Sequence, residues 1–380
     1  MRTVAAYSAS APGAPLIRDS VERRDLRADD VAVLVSHCGV CHSDLHALRD
    51  DAGSFPLTPG HEFVGTVLDV GSGVTDFAPG DPVAVGNIVD SCDVCDMCAA
   101  GQENYCREFP TLTYGGRDRV DGSTTAGAFS AEYVVRDRFV YHRPKGLDAA
   151  AVAPLMCAGI TVWEPLRRWG VGPGSRVGVA GIGGLGHLAV RFAAALGAEV
   201  TVFTTSSAKA EEARELGAHH TVLSTDDAAM VAVQGGLDLV VDCIPVAHDP
   251  HPYLASLALD GTLCLVGHLG SVSIETVDLL VGRKSVTSSG SGGRRSTQEM
   301  LDLCGEHGIT AQVEVLPSAL VGTALDRLEA GDVRYRFVLD MSDLTGDATP
   351  ARGLPNRDAG HPRCDPTTDQ RAGPHDDDAQ

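Results

Sequence analysis

Residues 176–196 read as a strand, a glycine turn and a helix in direct succession, with Gly181-Ile182-Gly183-Gly184-Leu185-Gly186 at the turn. A glycine pattern alone is weak evidence. Set between a strand and an amphipathic helix, with the next strand about 20 residues on, it predicts a dinucleotide turn. Backbone N–H groups and the positive end of the helix then converge on a pyrophosphate. Gly181, Gly183, Gly184, Leu185 and Gly186 are the candidate cofactor residues of that turn. Strand-like runs at 200–203, 239–244 and 262–266 and a helix-length segment at 209–216 continue the alternation. The pattern predicts an α/β, doubly wound parallel sheet (Rossmann) domain over residues 154–290.

The preceding part has a different texture. Short β-rich runs at 31–35, 65–70, 82–85 and 131–135 are broken by Gly, Pro and Asp, which predicts a compact β-rich domain over residues 1–153. A chain of 380 residues exceeds what one hydrophobic core usually serves, so two domains are expected. Residues 291–341 should return to the first of them. From residue 342 the composition collapses to Asp, Pro, Gly, Thr and Arg with no aromatic, Val or Ile, so 342–380 reads as a disordered acidic tail without assigned function.

The first 20 residues contain no apolar signal core, and no apolar run approaches the roughly 20 residues that span a bilayer. A cytoplasmic enzyme with no membrane partner is the expectation. The formal charge of -21 excludes nucleic acid as a general partner, because a polyanion would be repelled over most of the surface. A phosphate-bearing cofactor stays allowed, since it needs only a local nest of N–H groups and one or two cations.

Cysteines carry the metal chemistry. Cys92, Cys95, Cys98 and Cys106 follow the spacing C-x2-C-x2-C-x7-C, and four thiolates at that spacing can close a tetrahedron around zinc. Disulfides are the competing reading, but a reducing compartment and the tight spacing favour metal. A closed shell of sulfur has no corner for substrate, so this zinc is structural. Cys41, His61 and Cys157 are a second set of soft ligands, and spacing alone leaves their role open between metal ligation and ordinary turn or core positions. Cys38, Cys243, Cys264, Cys304 and Cys364 read as idle thiols.

The stretch from Cys38 to His46, Pro59-Gly60-His61-Glu62, the four-cysteine loop, the stretch from Pro154 to Thr161 and the glycine turn together resemble the zinc-dependent medium-chain alcohol dehydrogenases. The likeness is greatest to the cinnamyl alcohol dehydrogenase type and runs in order as far as Asp340. It implies a GroES-like β-rich catalytic domain holding both zinc sites. Cys41, His61 and Cys157 become the catalytic zinc ligands, with a fourth position open for an alcohol or aldehyde oxygen. Ser43 becomes the first hydroxyl of a proton relay and His46 its solvent-side partner. Asp44 fixes the imidazole tautomer of His61, and Glu62 stands beside the ion. His42 is placed near the pyrophosphate.

The second strand of the nucleotide sheet ends without the acid that selects NAD, and reads Val202-Phe203-Thr204-Thr205-Ser206-Ser207-Ala208-Lys209. Ser206 or Ser207 could also cap a helix there. The resemblance makes Thr204, Thr205, Ser206 and Lys209 contacts to the 2′-phosphate of NADP. It further implies two zinc ions per chain, small-molecule alcohol or aldehyde substrates, chiefly aldehyde reduction, and a homodimer. The rival readings are an NAD-dependent polyol or amino-alcohol dehydrogenase, or a zinc- and nucleotide-binding redox sensor without turnover. Cys157 and the Ser43/His46 pair count against the sensor. Arg294 and Arg295 read as exposed, and Trp163, Phe109 and Leu57 as core.

Overall fold

The structure is a computed structural model that describes residues 1–344. Its nucleotide half is a six-stranded sheet. Strands His220–Leu223, Glu199–Thr204, Arg176–Ala180, Leu237–Asp242, Leu257–Leu265 and Ser285–Ser288 lie side by side in that order. All five pairings are parallel. Val177, Val179, Val200, Val202, Leu239 and Val241 are buried, as expected of strands covered by helices on both faces. Numbered along the chain, the order is 3-2-1-4-5-6, and the glycine turn leaves the first strand beside the point where that order reverses. Ligands of doubly wound sheets bind at this crevice.

The turn is built for close approach. Gly181 has φ +85°, and a Cβ on Gly186 would fall 1.9 Å from the Gly181 carbonyl oxygen. Glycine is required there, because helix Gly186–Ala195 must start against the strand it follows.

The other half is a mixed sheet. Strands Val313–Pro317, Arg336–Asp340, Asp30–Val40, Phe63–Val70, Pro82–Val85 and Tyr141–His142 run in order across it, and Glu132–Arg136 also pairs with Asp30–Val40. After strand Ser285–Ser288 and helix Arg294–His307, the chain re-enters this sheet. Phe337, Val338, Leu339 and Asp340 pair antiparallel with residues 37–40. One apolar cluster continues from one half into the other, joining Val64, Ala84 and Tyr141 to Leu155, Trp163, Leu188 and Phe192. Among the described residues, no single helix is long and apolar enough to cross a membrane.

Two local readings are corrected. Phe109 is 68% exposed and not core: it closes the turn behind Cys106 at φ +62°, with its N–H bonded to the Cys106 carbonyl. Ser342–Leu344, read as tail from composition, forms a 3-10 turn with Leu344 buried and Asp343 accepting from Ser318 and Ala319. The rest of the expected tail, residues 345–380, lies outside the described residues. Trp163 and Leu57 are buried as read.

Candidate active site and metal centres

Cys41 stands where strand Asp30–Val40 ends and helix His42–Arg49 begins. Its N–H donates to Asp44 Oδ2 at 2.9 Å, closing the first helical turn. The other Asp44 oxygen accepts from the Gly60 N–H at 3.1 Å and lies 3.0 Å from His61 Nδ1. A fully buried carboxylate therefore holds the Nδ1 proton and turns the lone pair of Nε2 outward. Nε2 lies 3.2 Å from the sulfur of Cys157, which sits between the short turn Ala153–Met156 and helix Ala158–Arg168. The ligand atoms of Cys41, His61 and Cys157 all lie within 4.8 Å of one another.

The chemistry of this donor set fits zinc. Its hydrogen bond with Cys157 pulls the Cys41 thiol well below its ordinary range, helped by Arg336 and His61, while the same bond and burial push Cys157 up. A dication would displace the remaining thiol proton, neutralise the two thiolates and bind the free Nε2.

The surroundings are equally constrained. Glu62 is fully buried, and burial lifts its carboxyl to about 7 against the opposing pull of Arg336, which hydrogen-bonds its Oε1. Its other oxygen and Arg336 Nε are buried without a hydrogen-bond partner. Arg336 also reaches the glycine turn: a Cβ on Gly184 would fall 2.8 Å from its Cδ. Sequence reasoning missed this residue. The available signal was an arginine opening an otherwise apolar strand, Phe337-Val338-Leu339. Tyr114, also missed, packs edge-on to His61 with ring centres 5.6 Å apart. Burial, with Asp44 and Cys41 nearby, keeps its hydroxyl neutral. Ser43 is exposed, with its Oγ 3.7 Å from the Cys41 sulfur. His46 is exposed on the same helix three residues on, and no hydrogen bond joins the two.

The four-cysteine loop forms a second cluster, also with all ligand atoms within 4.8 Å. The Cys98 sulfur lies 3.5 Å from that of Cys95 and 3.8 Å from that of Cys92. Backbone N–H groups point at sulfur: Cys92 to Cys106, Cys95 to Cys92 and Cys98 to Cys95. The N–H groups of Arg107 and Cys98 draw the Cys95 thiol down to about 6, which suits a thiolate ligand. Between Cys98 and Cys106, the turn Glu103–Tyr105 presents the buried Glu103, whose carboxylate accepts from Arg294 N–H and Nε at 2.9 Å each. Arg294 is thus engaged by the four-cysteine loop and not simply exposed. Arg295 pairs with Glu299 at the surface.

Strand Glu199–Thr204 delivers the candidate phosphate contacts. Thr205 and Lys209 are exposed, and Ser206, half-buried, caps helix Ser207–Glu215 through its backbone. Thr204 differs from its reading, since it is buried and its Oγ1 accepts the Ser206 N–H at 3.3 Å, so it shapes the turn.

A doubly wound nucleotide sheet, a β-rich half and two soft-ligand clusters define a zinc-binding dehydrogenase. Residues 27–145 match the alcohol dehydrogenase GroES-like domain and residues 184–306 the zinc-binding dehydrogenase domain. The aldehyde reductase YahK of Escherichia coli (strain K12) is 44% identical, covering 91% of this chain and 99% of that protein. The cinnamyl alcohol dehydrogenase SbCAD4 of Sorghum bicolor superposes with a TM-score of 0.86 at 41% identity, over 90% of this chain and 98% of that one. The CAD of Helicobacter pylori complexed with NADP(H) superposes with a TM-score of 0.82 at 33% identity, over 90% and 98%. The chain belongs to the zinc-binding alcohol dehydrogenase family, on its cinnamyl alcohol dehydrogenase branch.

Proposed function

We propose that this chain is an NADP(H)-dependent zinc alcohol dehydrogenase that interconverts primary alcohols and aldehydes, working chiefly as an aldehyde reductase. The observation that carries the reading is the convergence of buried Cys41 and His61 with half-buried Cys157, linked through Glu62 and Arg336 to the dinucleotide turn. The aldehyde-reductase relative and the NADP(H)-bound structural neighbour support the substrate class and cofactor. A zinc ion held by these three ligands would supply Lewis-acid polarisation of a carbonyl and acidify an alcohol.

The chain's own groups do the rest. Asp44 holds the His61 tautomer that frees Nε2. Gly181, Gly183, Gly184, Leu185 and Gly186 receive the pyrophosphate with Arg336 as its cation. Thr205, Ser206 and Lys209 take the 2′-phosphate, and the absence of an acid at the strand end favours NADP. Ser43 and His46 pass the proton between substrate and solvent through water or a rotated side chain, being on one helix but not in contact. Glu62 stands beside the ligands as an alternative partner for the ion. The four-cysteine zinc is structural.

The two halves act as domains spanning 1–153 with 291–341, and 154–290. The protein works in the cytoplasm as a homodimer, without nucleic-acid or membrane partners. Support for the dimer is the set of exposed apolar residues Leu259, Leu269, Val277, Leu280 and Val281 preceding the edge strand Ser285–Ser288, which among the described residues pairs on one side only. Light scattering on the purified chain tests it. The enzymatic reading is tested by following NADPH and NADH consumption with a panel of aromatic and aliphatic aldehydes. Turnover with NADPH well above NADH is expected; no turnover of any aldehyde or alcohol by the zinc-loaded protein would contradict it.

A further inference from the structure

Three consecutive residues before and at the start of strand Arg336–Asp340 tie together parts of the molecule that each face the cofactor crevice. Glu212 lies in helix Ser207–Glu215, three residues after Lys209 and so on the same face. Its two carboxylate oxygens engage neighbours in sequence: Oε1 pairs with Arg334 at 2.6 Å and Oε2 accepts the Tyr335 hydroxyl. The Tyr335 ring stacks on His187, the first residue after the glycine turn, with centres 4.8 Å apart and planes 15° from parallel. His187 is fully buried, and burial holds it neutral, down to about 3. Its Nδ1–H donates to the Gly183 carbonyl at 2.9 Å, and Nε2 accepts the Gln312 N–H at 3.3 Å. The Gln312 carbonyl in turn accepts the N–H groups of both Tyr335 and Arg336. Arg336 follows directly, with its guanidinium on Glu62 and its Cδ against Gly184.

A buried arginine has many rotamers and one productive placement, and its fixation costs side-chain entropy unless the backbone that carries it is already held. We propose that Glu212 and Tyr335 are positioning residues that clamp the start of this strand to the cofactor-selecting helix and the pyrophosphate turn, so that Arg336 is presented to the nucleotide and to Glu62 in one orientation. The inference rests on the cofactor reading above. It differs from that reading in what it predicts: a clamp on Arg336 acts on the pyrophosphate common to both nucleotides, whereas Lys209 acts on the 2′-phosphate of one.

The test uses the zinc-loaded full chain and measures NADPH and NADH dissociation constants by nucleotide fluorescence, with zinc content and melting temperature recorded. Tyr335→Phe keeps the ring on His187 and loses the hydroxyl; it should weaken both nucleotides by the same factor, about fivefold, with zinc content unchanged. Glu212→Ala should behave alike. Glu212→Gln, which keeps an acceptor for the Tyr335 hydroxyl, should recover most of the loss, a rescue that a loss of general stability would not give. Equal wild-type affinity in Tyr335→Phe and Glu212→Ala, or a loss confined to NADPH, would overturn the clamp. Absence of binding of either nucleotide to the wild-type chain would instead defeat the cofactor reading itself.

Discussion

The two metal centres are made from similar donors by opposite means. The four cysteines come from one loop of fifteen residues, 92–106, and their sulfurs are ordered by backbone N–H groups of the same loop. Cys41, His61 and Cys157 come from three separate elements, with Cys157 96 residues beyond His61, and a buried carboxylate holds the first two. A local loop can satisfy four thiolates and nothing else. A centre assembled by the whole fold can leave one corner open, because the fold and not the ion holds its ligands apart.

The largest expected break in this comparison is Cys157→Ala. Aldehyde reduction should fall about a thousandfold or more, since the several kcal/mol that the ion contributes to charge stabilisation disappear. NADPH binding should persist, and the melting temperature should change little; full activity would refute the site.

Cys98→Ala attacks the other centre and should reverse the pattern. It should cost several kcal/mol of stability, roughly, because structural zinc binding is folding free energy. Calorimetry should register the loss, while the folded fraction keeps its catalytic zinc. The turn bearing Glu103 should loosen with it, freeing Arg294.

Asp44→Asn probes why the open centre needs support. Neutralising the acceptor of the His61 proton should lower zinc affinity and kcat/KM by about 10- to 100-fold. Competition with a chelator reads the first, and steady-state kinetics the second. Equal values to the unaltered protein would show that His61 is oriented by something else.

Lys209→Ala should leave both centres alone, which makes it the control. Two zincs per chain should remain, and NADPH should weaken about tenfold with NADH unchanged. Unaltered selectivity would move the 2′-phosphate elsewhere.

The same contrast explains what could be read from residues alone. The nucleotide sheet was legible because strand, glycine turn and helix are consecutive, and residues 176–180 form the strand where the pattern puts it. The four-cysteine site was legible from spacing for the same reason. Cys41, His61 and Cys157 needed family likeness, since nothing local in Leu155-Met156-Cys157 distinguishes a ligand from a buried small residue. Arg336 and Tyr114 escaped because their roles exist only once residues 336 and 62, or 114 and 61, are folded together. Arg294 was misread because its partner, Glu103, lies 191 residues earlier in the chain.

Zinc-edge X-ray absorption on the intact chain and on Cys157→Ala, paired with metal content, decides whether residues 41, 61 and 157 share one ion. The intact chain should hold two zincs with a mixed sulfur and nitrogen average shell. The variant should hold one zinc, surrounded by sulfur alone, with aldehyde reduction lost. Two zincs in the variant with the mixed shell intact would contradict a shared ion at residues 41, 61 and 157.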